Sequence, residues 1–432
     1  WEAADVMAWT LATHAVKFGT GFRFTRAYNE SLPYGRGAYF FAGPPSLFPE
    51  PYAFLQNVEV SSIGHIVEPR SVSSFGFVQD NWQVAPRLTA MLGVRYDIEQ
   101  IRNVRGYTAR ADTNNIQPRA SAVWNPVGRL AVRGGAGVYA QQHLLYYINR
   151  AQLEGPSGSA MVALTPASPF MPVYPATVGP EILTRIPRDV FAVAADFRNP
   201  YSLQASLGVQ HPLFGFDVSA DYVYLVGRDL MSIVDVNAPA SAIKGLPRTV
   251  TQADLTRPQV PAPGGTRKII TLGNEGRSWY RALQVSAARG SGALHGLATY
   301  TLARTEDMAN YQLPEDSRNI AAEKARADND VRHNLTAGLV WQLPFSGRGL
   351  SGWSLSAAGQ FRSNRPYTIT WGDDRNGTTQ NDARPGARNT ARGPSYRSVD
   401  LSLTRRTPIG SRTLEVRAEA FNVLSAKNYE EY

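Results

Sequence analysis

Cysteine is absent from this 432-residue chain. Without thiols there is no disulfide and no Cys-based metal site, so small secreted scaffolds held by bridges and zinc-finger types are excluded. Long apolar runs are missing too. Nowhere do about 18 consecutive apolar residues occur, which excludes a membrane protein built of spanning helices. Lysine is scarce, at five residues (Lys17, Lys244, Lys268, Lys324 and Lys427) among 44 basic ones. The 39 arginines are spread singly rather than in blocks. The net charge of +9 therefore reads as an arginine-favouring composition rather than a nucleic-acid surface, which would cluster its charge. Only 18% of residues are charged against 43% apolar and 10% aromatic, which excludes disorder throughout. The amino terminus, Trp1-Glu2-Ala3-Ala4-Asp5, has neither the basic nor the apolar region of a signal peptide. The chain is expected to be cytosolic or to begin inside a longer precursor.

What is present is a period of two. Leu88, Ala90, Leu92, Val94, Tyr96 and Ile98 alternate with Thr89, Met91, Gly93, Arg95 and Asp97, as in a strand with one apolar and one wet face. Val16, Phe18, Phe22 and Phe24 alternate likewise with Lys17, Gly19, Gly21 and Arg23. So do Leu335, Ala337, Leu339 and Trp341 with Asn334, Thr336, Gly338 and Gln342, and Val399, Leu401 and Leu403 with Asp400, Ser402 and Thr404. The pattern predicts about 14 strands, at 3–12, 14–25, 70–84, 87–99, 115–125, 129–140, 201–211, 215–228, 278–289, 293–306, 330–345, 352–363, 395–406 and 412–424. Each holds ~10 residues or more, longer than ordinary strands of ~5–6 and long enough for the ~9–11 that cross a bilayer at a tilt.

The connections alternate between short turns carrying Pro and Gly, such as 84–87, 125–129, 289–292 and 407–411, and long stretches at 26–69, 100–114, 141–200, 229–278, 307–332 and 364–394. An up-and-down barrel of a Gram-negative outer membrane, with short periplasmic turns and long extracellular loops, gives this directly. Loops of such length count against a compact soluble domain. The expected fold is all-β, one antiparallel transmembrane β-barrel domain over 1–432. Lipid meets the apolar face and water the polar one, a choice made by strand length and barrel width. Phe75, Phe77, Trp82, Tyr96, Trp124, Tyr139, Tyr201, Tyr222, Tyr224, Trp341, Phe345 and Phe361 are read as interfacial girdles. With short turns in the periplasm, the first strand runs down and the last runs up. Strands are therefore expected to be missing at both ends.

The stretch from Phe75 to Asp97, with Gln79-Asp80, Trp82, Pro86-Arg87-Leu88-Thr89 and Leu92-Gly93-Val94-Arg95-Tyr96-Asp97, resembles a barrel hairpin of TonB-dependent outer-membrane receptors. Pro118-Arg119-Ala120, Val132-Arg133-Gly134-Gly135, Asn199-Pro200-Tyr201, Tyr280 to Ser286, Asp330-Val331-Arg332-His333 and Arg417 to Asn422 are similar, in order, to the Oar-like branch of that family. The resemblance implies a barrel of about 22 strands, a plug domain, a TonB energising partner and uptake of a large scarce solute such as a metal chelate or glycan. Neither plug, TonB box nor final strand is visible here, so the 14 strands would be the family's eighth to twenty-first.

Catalytic patterns are weak. His14, His65, His143, His211, His295 and His333 form no H-x-x-x-H spacing, Gly155-Pro156-Ser157-Gly158-Ser159 misses the nucleophile-elbow register, and no phosphate-binding Gly-Lys loop occurs. No enzyme activity and no cofactor are expected. The best polar cluster is Asp373, Asp374 and Asn376 beside Gly377, with Asp382 after it. Oxygen ligands around a Gly turn suit calcium, but the register is broken and no bidentate Glu follows. A solvated extracellular turn is the alternative. Glu306-Asp307 and Glu315-Asp316 form a second acidic stretch. Two functions compete: a solute-importing receptor barrel, and a surface barrel whose loops bind a partner without transport. A soluble all-β binding protein is a third.

Overall fold

Alternation of apolar and polar side chains leaves each strand's main chain to be satisfied by its neighbours. In the computed structural model, which describes all residues except 106–110, 143–144, 309–311, 348–350 and 430–432, the neighbours follow in chain order. The meander comprises β1 (Glu2–Leu11), β2 (His14–Arg26), β3 (Arg70–Ala85), β4 (Leu88–Arg102), β5 (Asp112–Trp124), β6 (Ala131–Ala140), β7 (Tyr201–Leu213), β8 (Phe216–Asp235), β9 (Thr266–Arg289), β10 (Leu294–Asp307), β11 (His333–Gln342), β12 (Trp353–Arg362), β13 (Tyr396–Ile409) and β14 (Arg412–Ala420). Every consecutive pair is antiparallel. Two short segments complete a 16-stranded sheet: Arg188–Val193, parallel to the loop-side end of β9, and Ala325–Arg326 on β10. The all-β antiparallel expectation holds, and all fourteen expected strands are present.

Register sorts the side chains into two faces. Tyr222, Leu283 and Leu302 align on one face, as do Leu339, Ala357 and Leu401. On the other, Asp221, Gln284 and Thr301 align, and Ser219 bonds Ser286 at 2.8 Å. The polar face is the one across which side chains bridge. Arg133 of β6 reaches Asp221 of β8 at 2.7 Å, passing over Gly208 of β7. A Cβ at Gly208 would stand 1.9 Å from the Asp221 carboxylate, so only glycine leaves that path open. The apolar face is exposed in mid-strand, with Leu207 62% accessible. That is the surface lipid covers in an outer-membrane barrel.

Five of the eight tryptophans, Trp9, Trp82, Trp124, Trp341 and Trp353, lie on the apolar face at the short-turn ends of their strands. This is an interfacial belt. The girdle reading fails for Phe75, Phe77 and Tyr139, which the register places on the polar face. The Phe75 ring lies against Gly21, where a Cβ would come within 2.5 Å, and carries the Arg95 guanidinium 4.0 Å from its centroid. Glycines opposite, Gly21 and Gly19, accommodate the Phe75 and Phe77 rings, and Gly137 of the same strand leaves room for Tyr139.

The strands β8 and β9 are longer than expected, at 20 and 24 residues. Register shifts at Gly227–Leu230 and Leu230–Ser232 break the alternation that marks their limits in sequence, and both ribbons continue into the segment expected as a loop at 229–278. There they support a conventional core of Ile101, Ile148, Phe191, Phe197, Met231, Ile233 and Leu272. A second core (Phe54, Val58, Val162, Leu164, Ile182) belongs to a small sheet of Ala38–Phe40, Ala53–Glu59 and Ser159–Leu164. Both hydrophobic cores thus sit at the long-loop end of the wall.

Candidate functional site

The polar face and the loops above it carry the charged groups that a solute would meet. On the wall, Arg95 of β4 donates twice to Asp97 at 2.8 Å, Gln117 of β5 donates to the same carboxylate, and Arg119 stacks 4.3 Å from the Tyr139 ring. The buried Glu99 accepts from Ser71 at 2.7 Å and Asn199 at 2.6 Å. These residues enclose a cavity of about 280 Å³ at the loop end of the wall.

A second cavity of about 180 Å³ lies among the loops and the outer ends of β8 and β9, bounded by Lys268, Arg248, Glu315, Trp371, Asp382 and Arg384. Buried ion pairs hold its walls. Arg257, fully buried, binds Asp235 at 2.7 Å and Asp254 at 2.8 Å. Arg384 binds Glu315 at 2.8 Å and also Glu323. Arg388 joins Asp307, and Arg392 joins Asp330. Arg384, Arg388 and Arg392 thereby tie Asp307, Glu315, Glu323 and Asp330 to the 384–392 stretch. Charges taken from water need such partners, because an unpaired one would cost several kcal/mol, on the order of 3–5.

The environment shifts three of these groups. Burial pushes the Asp382 carboxyl up, against the lowering effect of its hydrogen bond from Asn376. Burial also pulls Arg248 down, assisted by the charge of Arg257. Burial alone would lower Arg384, but hydrogen bonds and charge from Glu323 and then Glu315 hold it above the usual value.

The sequence-derived cluster divides. Asn376 donates to Asp382 at 2.9 Å, and both line the loop cavity. Asp374 instead accepts from the Thr378 and Thr379 amides at 2.8 and 2.9 Å, closing the turn. Asp373 accepts from Arg375 at 3.1 Å, and that guanidinium lies 4.4 Å from the Trp371 ring. Among the described residues no three His, Asp or Glu side chains converge as a metal site needs. In the second acidic stretch, Glu306 binds Arg304 at 2.7 Å, Asp307 binds Arg388 and Glu315 binds Arg384. His143 lies outside the described residues.

The cations and aromatics of this cavity carry no local signal in the sequence. Arg248 stands far from the cluster along the chain, whereas Trp371 and Arg384 flank it two positions before Asp373 and two after Asp382, and single arginines read there as compositional. The available signal was that arginines recur inside long loops otherwise rich in Asp, Asn and Gly.

Comparison with known proteins agrees with this geometry. The family model described as outer membrane beta barrel domain matches residues 1–109, 102–387 and 385–431. The chain is similar to the TonB-dependent transporter Oar of Myxococcus xanthus, 27% identical over 154 residues, covering 33% of this chain and 14% of that protein. In structure it is similar to the FrpB iron transporter from Neisseria meningitidis, with a TM-score of 0.57, 12% identity, and coverage of 98% of this chain and 51% of that one. It is also similar to the siderophore receptor PirA from Acinetobacter baumannii, with a TM-score of 0.53, 9% identity, and coverage of 98% and 50%. The chain thus spans about half the length of these solved structures. Two-faced transmembrane strands, a tryptophan belt at one rim and long loops at the other place it in the outer membrane, and the chain belongs to the outer membrane beta barrel domain family.

Proposed function

We propose that this chain is the wall of an outer-membrane transporter that imports a large, scarce solute of the metal-chelate or glycan type. The observation carrying this reading is the charged and polar lining of both cavities, one among the loops and one on the wall. Charged and aromatic groups (Arg248, Lys268, Arg384, Trp371) lie outside, and Arg95, Arg119, Tyr139 and Gln117 follow on the inner face. In this reading a plug domain and a TonB-type energising system complete the machine. Further strands would pair with β1 and β14, whose residues are exposed and whose outer edges are unpaired among the described residues.

The test is uptake by cells carrying the full gene, supplied with labelled ferric chelates and oligosaccharides, with and without an uncoupler. Accumulation that collapses on uncoupling is expected. Surface binding with no energy-dependent accumulation of either class would overturn transport and leave the partner-binding role of the loops.

A further inference from the structure

We infer that the outer face of β2, β3 and β4 carries a binding site for the phosphorylated headgroup of a membrane lipid. Arg26, Arg70 and Arg102 are direct register partners, Arg26 with Arg70 and Arg70 with Arg102. They stand on the same face as Phe24, Val72, Phe22 and Ile98, which is the lipid-covered one. All three arginines are exposed.

Like charges directly opposite on neighbouring strands lie about 4.5–5.5 Å apart at Cβ and destabilise the pair. The protein compensates only part of this row. Glu68 binds Arg26 at 2.9 Å, and Arg102 donates to the neutral Gln100 at 2.7 Å. Arg70, in the middle, has no side-chain partner among the described residues. Elsewhere on the same rim, Arg281 and Arg304 converge on Glu306, at 3.7 and 2.7 Å. The β2–β4 row therefore presents two guanidiniums without a carboxylate, in the fork geometry that suits a phosphate.

Position selects the lipid as the source of that phosphate. Arg70 lies twelve residues from Trp82 of the belt along β3. At ~3.3 Å per residue and a tilt of ~40°, that separation spans about 30 Å across the membrane. The apolar band of such barrels is about 25 Å tall, so the row lies just beyond its upper edge, at headgroup level. Phe24, Val72, Phe22 and Ile98 lie below it, where they would pack against the acyl chains of the same molecule.

The experiment is native mass spectrometry of the full-length protein in detergent. It is titrated with phosphatidic acid, with phosphatidylcholine, with diacylglycerol and with inorganic phosphate. We expect one phosphatidic acid bound at least about tenfold more tightly than either other lipid, a difference of ~1.4 kcal/mol. Free phosphate should not displace it. The double variant Arg70→Gln/Arg102→Gln should remove the preference, whereas Arg70→Lys should keep most of it. Equal binding of phosphatidic acid and diacylglycerol by the unaltered protein would overturn the proposal, whether or not the variants fold. So would displacement by inorganic phosphate, which would mark a free-anion site.

Discussion

The wall and the loop cap of this molecule follow opposite rules of burial. In the wall, Leu207 of β7 and Val416 of β14 are 62% and 59% exposed, while Gln117 is buried. In the cap, Phe54 and Phe191 are all but inaccessible, and charges are found inside only when paired, as Arg257 is with Asp235. One chain thus uses two solvents. The cap folds by hiding apolar surface from water. The wall hides its main chain from lipid by strand pairing and leaves its apolar side chains outside. Exposed Leu and Trp in the wall are therefore matched to lipid rather than misplaced.

The contrast is sharpened by substitutions that act on one region only. Phe54→Ala should cost the cap about 3–5 kcal/mol through a cavity in its core. It should leave membrane insertion intact, so chemical denaturation would show the loops melting while the barrel keeps its folded mobility on an unheated gel. Arg384→Ala should cost somewhat less, about 3 kcal/mol, by removing the hydrogen bonds to the buried Glu323 and leaving it only Arg388 at 4.0 Å. Its readout is faster proteolysis of the 308–332 and 363–395 segments on intact cells. Leu207→Arg, on the lipid face, should cost about 2–4 kcal/mol of insertion into vesicles, the value for a cation near the bilayer midplane. The same arginine at Ser206, on the polar face, should cost little.

The smallest effect expected is pH dependence of the cap. Burial raises the Asp382 carboxyl, so the folded state holds that proton more tightly than the unfolded chain. Stability from this group is present below the ordinary carboxylate range and is lost as pH rises through it to the raised value. Hydrogen exchange of the 366–392 loop should therefore quicken as pH rises through that window, after correction for intrinsic rates. Asp382→Asn should flatten the trend. A trend of the opposite sign would place Asp382 against a cation stronger than its burial.

The wall was legible in sequence because each strand repeats one simple rule and each tight turn has its own signature, such as Gly410 at φ +59 between β13 and β14. The limits failed where bulges interrupt the rule, in β8 and β9. Phe75 and Phe77 count as girdle aromatics by type and by their place near a strand end, yet the residues that point outward there are Gly76 and Val78. The cap was opaque for another reason. Its contacts join distant segments, as Arg384 joins Glu323 from 61 positions away, and nothing local encodes them. Of the candidate site, Asn376 and Asp382 were found because they cluster along the chain. Arg248 was not, because it meets the cluster only in space, and Trp371 was not, although it stands two positions before Asp373, because an aromatic gives no polar signal.

The most direct test of the two-solvent account uses the chain's lack of cysteine. Single spin labels at Asp400→Cys, Leu401→Cys, Ser402→Cys and Leu403→Cys on β13 would be read in vesicles against oxygen, which concentrates in lipid, and a water-soluble nickel chelate. Labels at 401 and 403 should respond mainly to oxygen, and those at 400 and 402 mainly to nickel. Uniform accessibility along the four positions, or the reverse alternation, would contradict an apolar face turned to lipid and a polar face turned to water.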